Sequence, residues 1–324
     1  MEHQYPEKVL ELVKLSKDGD LGHFGTLGLR LTSEAGGVVR LVSYNIQYGK
    51  GKDGNYDLHR IVNEVRGADV IALQEVERFW HRSGMVDQPR AIASLLPEYW
   101  WVYGAGVDLA LEQGNPTDCR RRQFGNMLLA RSQIAMSRNH LLPKYSTARA
   151  MSLQRSALEG VVQISGEWVR IYSVHLTHLS SYTRLPQVEK LIQVHRDAVS
   201  EGSAITGRDM PTDWADEGVP PSMPANAIMM GDFNFEFDSA EYELLVGPIS
   251  DYGDRLSNTV GFVDSWEIAG HRVRDAATTD VQGRPAKLDY CFLSTVLSER
   301  LVSAEIDRTA QGSDHQPIWI ELLD

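Results

Sequence analysis

The chain has 324 residues, 42% of them hydrophobic and 23% charged, the balance of an ordinary soluble protein with a substantial core. With 32 Lys and Arg against 44 Asp and Glu the net charge is −12, which argues against a sequence-independent grip on nucleic acid. A phosphate substrate stays open, because bound divalent cations can supply the positive charge. The N-terminus, MEHQYPEKVLELVKLSKDGD, has no apolar stretch of the kind a secretory signal needs. No apolar run approaches the roughly 20 residues that span a bilayer. Two cysteines, Cys119 and Cys291, are too few for a disulfide framework. A cytoplasmic setting without a transmembrane segment is the expectation.

Residues 6–16 show helical spacing, with Val9, Leu10 and Val13 on one face. VVRLVSYNI (38–46) reads as a strand. Asp57 caps a helix with an apolar face of Leu58, Ile61, Val62 and Val65, stopped at Gly67. DVIALQEV (69–76) reads as a buried strand, QPRAIASLLPEY as a short helix and WWVYG as a strand. GNMLLAR, ALEGVVQIS and EWVRIYSVHL are three more strands, the last two joined by a turn at Ser165-Gly166. A helix over 183–200 leads into a long loop at 201–225, which is either a lid or binding loop or a plain connector. Strands at 226–231, 288–293, 301–307 and 317–322 complete the set. The pattern predicts an α/β (α+β) four-layer sandwich: two packed mixed β-sheets flanked by helices. The expected organisation is an N-terminal extension with a helix over 1–37 and one domain over 38–324.

Several strands end in a polar residue: Asn45 in SYNIQ, Glu75 in LQEV, His175 in SVHLTH, Asp232 and Asn234 in MMGDFN. Asp289 stands in KLDY, and Asp314 and His315 stand in GSDHQP just before the last strand. One such residue alone reads as a turn or cap. As a set they offer hard oxygen ligands of the kind magnesium or manganese takes, together with imidazoles and amides. Such a set suits attack of water on phosphorus. His178 follows His175 by three residues; on a strand the two point to opposite faces, so HLTH is not read as a zinc pair. Tyr103 reads as a buried structural residue. The run Cys119-Arg120-Arg121-Arg122 reads as a solvated loop, with an anionic substrate tail as the other reading.

In order, SYNIQYG, LQEV, FGNMLLAR, SVHLTH, MMGDFNFEFDSAEYELL, KLDYCFL and SDHQPIWIEL resemble the motif series of the endonuclease/exonuclease/phosphatase superfamily. That fold is shared by pancreatic-type deoxyribonuclease, abasic-site endonucleases, neutral sphingomyelinases, deadenylases and inositol polyphosphate 5-phosphatases. The resemblance runs from about residue 38 to the C-terminus. It implies Mg2+ or Mn2+ held by Glu75, with Asn45 assisting and Asp314 as a second carboxylate nearby. It implies that Asp232 orients or deprotonates water and that Asn234 stabilises phosphate oxygens. It further implies that His315 pairs with Asp289, as a general base or as a phosphate stabiliser, and that His175 contacts the phosphate or the leaving group. Asn126 and Arg155 resemble positions near the substrate.

These readings lead to a metal-dependent phosphohydrolase, a phosphodiesterase or phosphatase on a small-molecule or lipid-headgroup phosphate ester. The alternatives are a DNA or RNA nuclease, disfavoured by charge, and a non-catalytic binding module with the same fold.

Overall fold

The computed structural model describes residues 37–111, 119–272 and 275–324. The helix expected over 6–16 lies outside them. In chain order the elements are β1 (Val38–Asn45), α1 (Leu58–Val65), β2 (Val70–Arg78), α2 (Gln88–Leu95), β3 (Trp100–Ala110), β4 (Arg121–Ala130), β5 (Met136–Leu141), β6 (Ser156–Ile164), β7 (Glu167–His175) and α3 (Ser181–Glu201). There follow α4 (Thr212–Ala215), β8 (Ala227–Asp232), α5 (Ala240–Val246), β9 (Phe262–Asp264), α6 (Ser265–Ile268), β10 (Thr279–Val281), β11 (Arg284–Ala286), β12 (Asp289–Ser294), β13 (Leu301–Ile306) and β14 (Ile318–Leu323).

The strands form two six-stranded mixed sheets, ordered β13-β14-β1-β2-β4-β3 and β5-β6-β7-β8-β12-β9. Side chains on a strand alternate between faces, and here both faces are buried. Leu41, Val70, Ala72 and Leu128 of the first sheet meet Val169, Ile171, Ile228, Met230 and Leu293 of the second between the sheets. The alternate residues Val42, Tyr44, Ile71, Leu73 and Met127 lie under Ile61, Val62 and Val65 of α1 and Ile92 of α2. On the far side, Tyr172, Val174, Ala227 and Met229 pack against Val188 and Leu191 of α3 and Leu245 of α5. The four-layer sandwich read from the sequence is the fold. Asp57 caps α1 as expected, its carboxylate accepting the N–H groups of His59 and Arg60.

Three local differences have physical causes. β5, MSRNHL, is not among the expected strands: it is an edge strand with alternate residues exposed, so its sequence is mostly polar. β3 and β4 form a longer ribbon than the apolar cores suggest, and Arg121 and Arg122 belong to β4 rather than to a loop. The 201–225 segment holds the short helix α4 and ends on a buried anchor. Arg170, fully buried, donates to the carbonyls of Pro224 and Ala225 at 2.8 and 3.0 Å. The two cysteines are unpaired, Cys119 exposed and Cys291 buried. No helix among the described residues is long and apolar enough to cross a membrane.

Strand direction gathers the polar strand ends at one edge of the sandwich. β1 runs parallel to β2, and β7 parallel to β8, so Asn45, Glu75, His175 and Asp232 sit at or near C-terminal strand ends. β12 runs antiparallel to β8, with Asp289 opposite Asp232, so it begins where β8 ends. β14 is antiparallel to β1 in the same way, and His315 just precedes it. Gly231 allows β8 to lie this close to β7: a Cβ there would sit 1.9 Å from the Val174 carbonyl oxygen. Gly231→Ala is therefore expected to destabilise the fold by about 1–3 kcal/mol, the usual scale of overpacking. Thermal denaturation checks this; an unchanged midpoint would contradict the close approach.

Candidate active site

Along the inner faces of the two sheets the side chains change character toward this shared end. Apolar pairs give way to a polar layer. Gln74 Nε2 donates to Ser173 Oγ at 2.9 Å, and Asn126 Nδ2 donates to the carbonyls of Ser156 and Ser173 at 2.8 and 3.0 Å. One position further on lie the charged residues.

Glu75 reaches this layer through a backbone irregularity. By alternation Gln74 faces the other sheet and Glu75 would face the helices. Between Leu73 and Val76 the pairing of β2 with β4 slips by one residue, and Glu75 takes φ 60°. This is a β-bulge, which inserts one residue and re-aims its side chain. Asn234 is also in the left-handed region, at φ 54°, in the turn after β8.

Asp232 Oδ2 is the hub. Asn45 Nδ2 donates to it at 3.0 Å, and to Glu75 Oε1 at 3.4 Å. His175 Nε2 lies 3.4 Å from the same oxygen and His315 Nε2 lies 3.9 Å from it. The other oxygen of Asp232 accepts the Asn234 N–H at 2.9 Å. His315 Nδ1 meets Asp289 Oδ2 at 2.7 Å, the pairing expected from the sequence. Asp314 Oδ2 accepts from Gln47 Nε2 at 2.7 Å, and Gln47 N–H donates to Asn45 Oδ1 at 3.1 Å. Arg155 Nη1 lies 2.9 Å from His175 Nδ1. A guanidinium only donates, so His175 Nδ1 accepts and its proton sits on Nε2, facing Asp232.

The electrostatics follow from burial and these partners. Burial pushes Asp232 up to about 7, with Asp289 and Glu75 adding and His315 opposing. Burial also raises Glu75, against the pull of Arg155 and His315. Burial alone would lower His315, but Asp289 and Asp232 outweigh it and push the imidazole up to about 10. Burial and Arg155 hold His175 well below the ordinary histidine range.

The expected residues thus fall into one cluster, with two distinctions. Asn126 is buried beneath it and gives its amide protons to backbone carbonyls of the facing sheet. Asn234 gives its amide to the Leu176 carbonyl at 3.1 Å. Tyr103 is structural, its hydroxyl donating to the Val76 carbonyl. Two contributors had no signal in the sequence. Thr278 joins the two halves of the dyad: its Oγ1 accepts the Asp289 N–H at 3.2 Å, and its carbonyl accepts the Gln316 N–H at 2.7 Å. Arg82 lines the cavity, its guanidinium 4.2 Å from the Tyr48 ring centre and 4.9 Å from that of Trp80.

The site opens into a cavity of about 260 Å3 bordered by Tyr48, Glu75, Arg82, Phe124, Arg155, Asp314 and His315. No residue of the 201–225 segment borders it; Met151 and Leu153, from the β5–β6 connection, do. A larger cavity of about 700 Å3 lies beyond the second sheet, between α3, α5 and the 247–261 loop. Its lining is mainly apolar and lacks a cluster of acids and imidazoles, so the smaller cavity is the candidate site.

The donor set fits a divalent cation. Glu75, Asp232 and Asp314 present hard oxygens, and the raised Asp232, buried, and Glu75, partly buried, are crowded acids whose charge a cation would balance. Among the described residues, Asp232, Asp289 and His315 bring ligand-type atoms within 4.8 Å of one another, but there His315 Nδ1 is already engaged by Asp289. Glu75, Asn45 and Asp314 adjoin that group through Asn45.

Asp289→Asn removes the anion that holds His315 charged. His315 should then titrate well below 10, and stability should fall by about 3–5 kcal/mol, as when one partner of a buried pair is lost. By linkage, a raised imidazole pKa stabilises the fold below the ordinary histidine value, and this stability is lost as pH rises through about 10. Histidine NMR titration and denaturation of both proteins decide the matter; an unshifted His315 would break the assignment.

Comparison with known proteins is consistent with this geometry. The model of the Endonuclease/Exonuclease/phosphatase family matches residues 42–315. Curated proteins give no match. Among solved structures, an endonuclease/exonuclease/phosphatase from Beutenbergia cavernae DSM 12333 aligns with a TM-score of 0.57 at 19% identity, over 88% of this chain and 71% of that one. A mannosyl-6-phosphatase from Bacteroides thetaiotaomicron aligns with a TM-score of 0.55 at 16% identity, over 88% of this chain and 100% of that one. Truncated Caenorhabditis elegans TDP2 aligns with a TM-score of 0.51 at 18% identity, over 89% and 98%. The structural likenesses speak for the fold; the family match spans most of the chain and contains the site from Asn45 to His315. The chain belongs to the endonuclease/exonuclease/phosphatase family.

Proposed function

We propose that the chain is a divalent-metal-dependent phosphoric ester hydrolase, a phosphodiesterase or phosphatase acting on a small-molecule or lipid-headgroup substrate. The observation that carries this reading is the convergence of Asn45, His175 and His315 on one oxygen of Asp232. Glu75, Asn45 and Asp314 would hold Mg2+ or Mn2+, and a bound cation there supplies charge to the phosphate and lowers the pKa of the attacking water. Asp232, its carboxylate oriented by Asn45 Nδ2 and the Asn234 N–H, would take the proton of the attacking water. His315, held protonated by Asp289, then acts as the donor that stabilises phosphate charge rather than as the base. Asn234 adds polarity at the turn after β8, and Arg155 adds a cation on the cavity wall.

A nuclease is the second reading, supported by one local feature. Arg82 and Arg122 lie over Trp80, and Arg120 lies over Phe79, forming a basic and aromatic ledge that includes one wall of the cavity. Ledges of this type bind single-stranded nucleic acid. The net charge of −12 weighs against it.

Hydrolysis of bis(p-nitrophenyl) phosphate and p-nitrophenyl phosphate, with magnesium or manganese and with chelator, tests the reading. Chelator-sensitive turnover is expected; preference for the diester favours a phosphodiesterase, and preference for the monoester a phosphatase. Mannose 6-phosphate and single-stranded DNA belong in the same panel. Turnover of none of them under any metal would overturn the proposal. Glu75→Gln should raise the metal concentration needed for half-activity, and an unchanged titration would remove Glu75 from the metal site. His315→Ala should lower turnover at least roughly a hundredfold, the scale for a positioned proton-transfer or charge-stabilising group.

A further inference from the structure

Arg155 holds a second imidazole. Its Nη2 lies 3.4 Å from His178 Nδ1, while its Nη1 holds His175. Because the guanidinium can only donate, Nδ1 of His178 accepts, so the ring is neutral and carries its proton on Nε2. Among the described residues that N–H has no other partner. His178 is exposed and borders the cavity together with Glu75, Arg155 and His315.

The loop that carries it is fixed. β7 ends at His175, and the next residues are tied down one by one. Leu176 N–H donates to the Asp232 carbonyl at 2.9 Å, and the Leu176 carbonyl accepts from Asn234 Nδ2. Thr177 N–H donates to Gln187 Oε1 at 2.9 Å, and the Thr177 carbonyl accepts from Arg184 Nη1 at 3.4 Å. Opposite faces would result only if the strand continued. Because it stops, both histidines turn to the same guanidinium.

A structural role explains little here. His178 is exposed, and among the described residues its one side-chain hydrogen bond is the longer of the two that Arg155 makes with imidazoles. A donor held ready on a fixed loop at the cavity edge suits recognition of an acceptor. We propose that His178 is a further substrate-binding residue, a neutral imidazole whose Nε2–H donates to a phosphate oxygen, and that Arg155 is the positioning residue that fixes its tautomer. This rests on the phosphohydrolase reading above. The cavity then has one neutral donor, His178, and one charged donor, His315, while the Nε2–H of the buried His175 faces Asp232.

Two measurements on the full chain test it. In a long-range 1H–15N histidine spectrum, His178 should appear as the Nε2–H tautomer, and its Nε2 resonance should shift on addition of inorganic phosphate. In Arg155→Lys the tautomer preference should weaken. In ester hydrolysis, His178→Ala should lower kcat/KM by about 10- to 100-fold, the fold-change for one hydrogen bond to a charged group. The inhibition constant of inorganic phosphate should rise in parallel. His178→Gln, whose amide N–H reaches a similar point, should recover most of both. An Nδ1–H tautomer, an Nε2 resonance blind to phosphate, or an unchanged kcat/KM in His178→Ala would overturn the assignment. If the wild-type chain hydrolyses no ester, the phosphohydrolase reading fails by itself, and the phosphate titration of the spectrum still decides the role of His178.

Discussion

Two sheets packed face to face leave their inner side chains few places to meet water, and one of them is the ends of the strands. That constraint organises this protein. In the middle of the sandwich the inner positions are apolar, because nothing there can solvate a charge. Nearer one end the same parity carries Ser43, Gln74, Asn126 and Ser173, which hydrogen-bond to one another and to the facing backbone. At the end itself it carries Asn45, His175, Asp232 and Asp289. A site built this way borrows its rigidity from the core beneath it, since each side chain is one or two residues from a fully buried neighbour on the same strand. Catalytic groups gain from such support because their geometry is set before the substrate arrives.

The same burial makes the cluster electrostatically unequal. Asp232, Glu75 and His315 are all raised, the two acids by burial and the imidazole by its carboxylate neighbours against burial. The same upward shift discharges the acids and charges the imidazole, and the two kinds of group stand 3.9 Å apart at Asp232 and His315. Arg155 sharpens the contrast among the imidazoles. His315 has an anion on Nδ1 and is charged; His175 has a cation on Nδ1 and is neutral. The partner on the far nitrogen, not the ring itself, decides which kind of donor each histidine is.

Much of this is legible in the sequence. The layer order comes from strands without a polar face, such as MMGD, and from helices with one apolar face. The set of polar residues around Asp232 is visible as strand-end positions, and the pairing of Asp289 with His315 is what the family resemblance implies. What escapes a reading of the sequence shares a cause: it depends on where regular structure stops. His175 and His178 point apart only if β7 runs on through both. The re-aiming of Glu75 is an extra residue in a strand that otherwise alternates normally. Thr278 is an ordinary threonine whose value comes from lying between two segments that the fold brings together. The edge strand β5 is hidden because half of it faces solvent and reads as loop.

The bulge at Glu75 bears on how such a sequence can change by descent. Up to Gln74, even-numbered residues of β2 face the other sheet; past the bulge, Val76 faces the helices together with Ile71 and Leu73. The extra residue is a frame shift inside the strand, and the acid occupies the shift. Loss of that single codon would restore plain alternation, leave Leu73 and the residue now two places on still directed at the helices, and delete only the carboxylate. A length change that would scramble most strands is here almost silent to the core and removes an acid from the cavity wall, so a descendant can keep the architecture while its sequence shows nothing more than a slightly shorter, more regular strand.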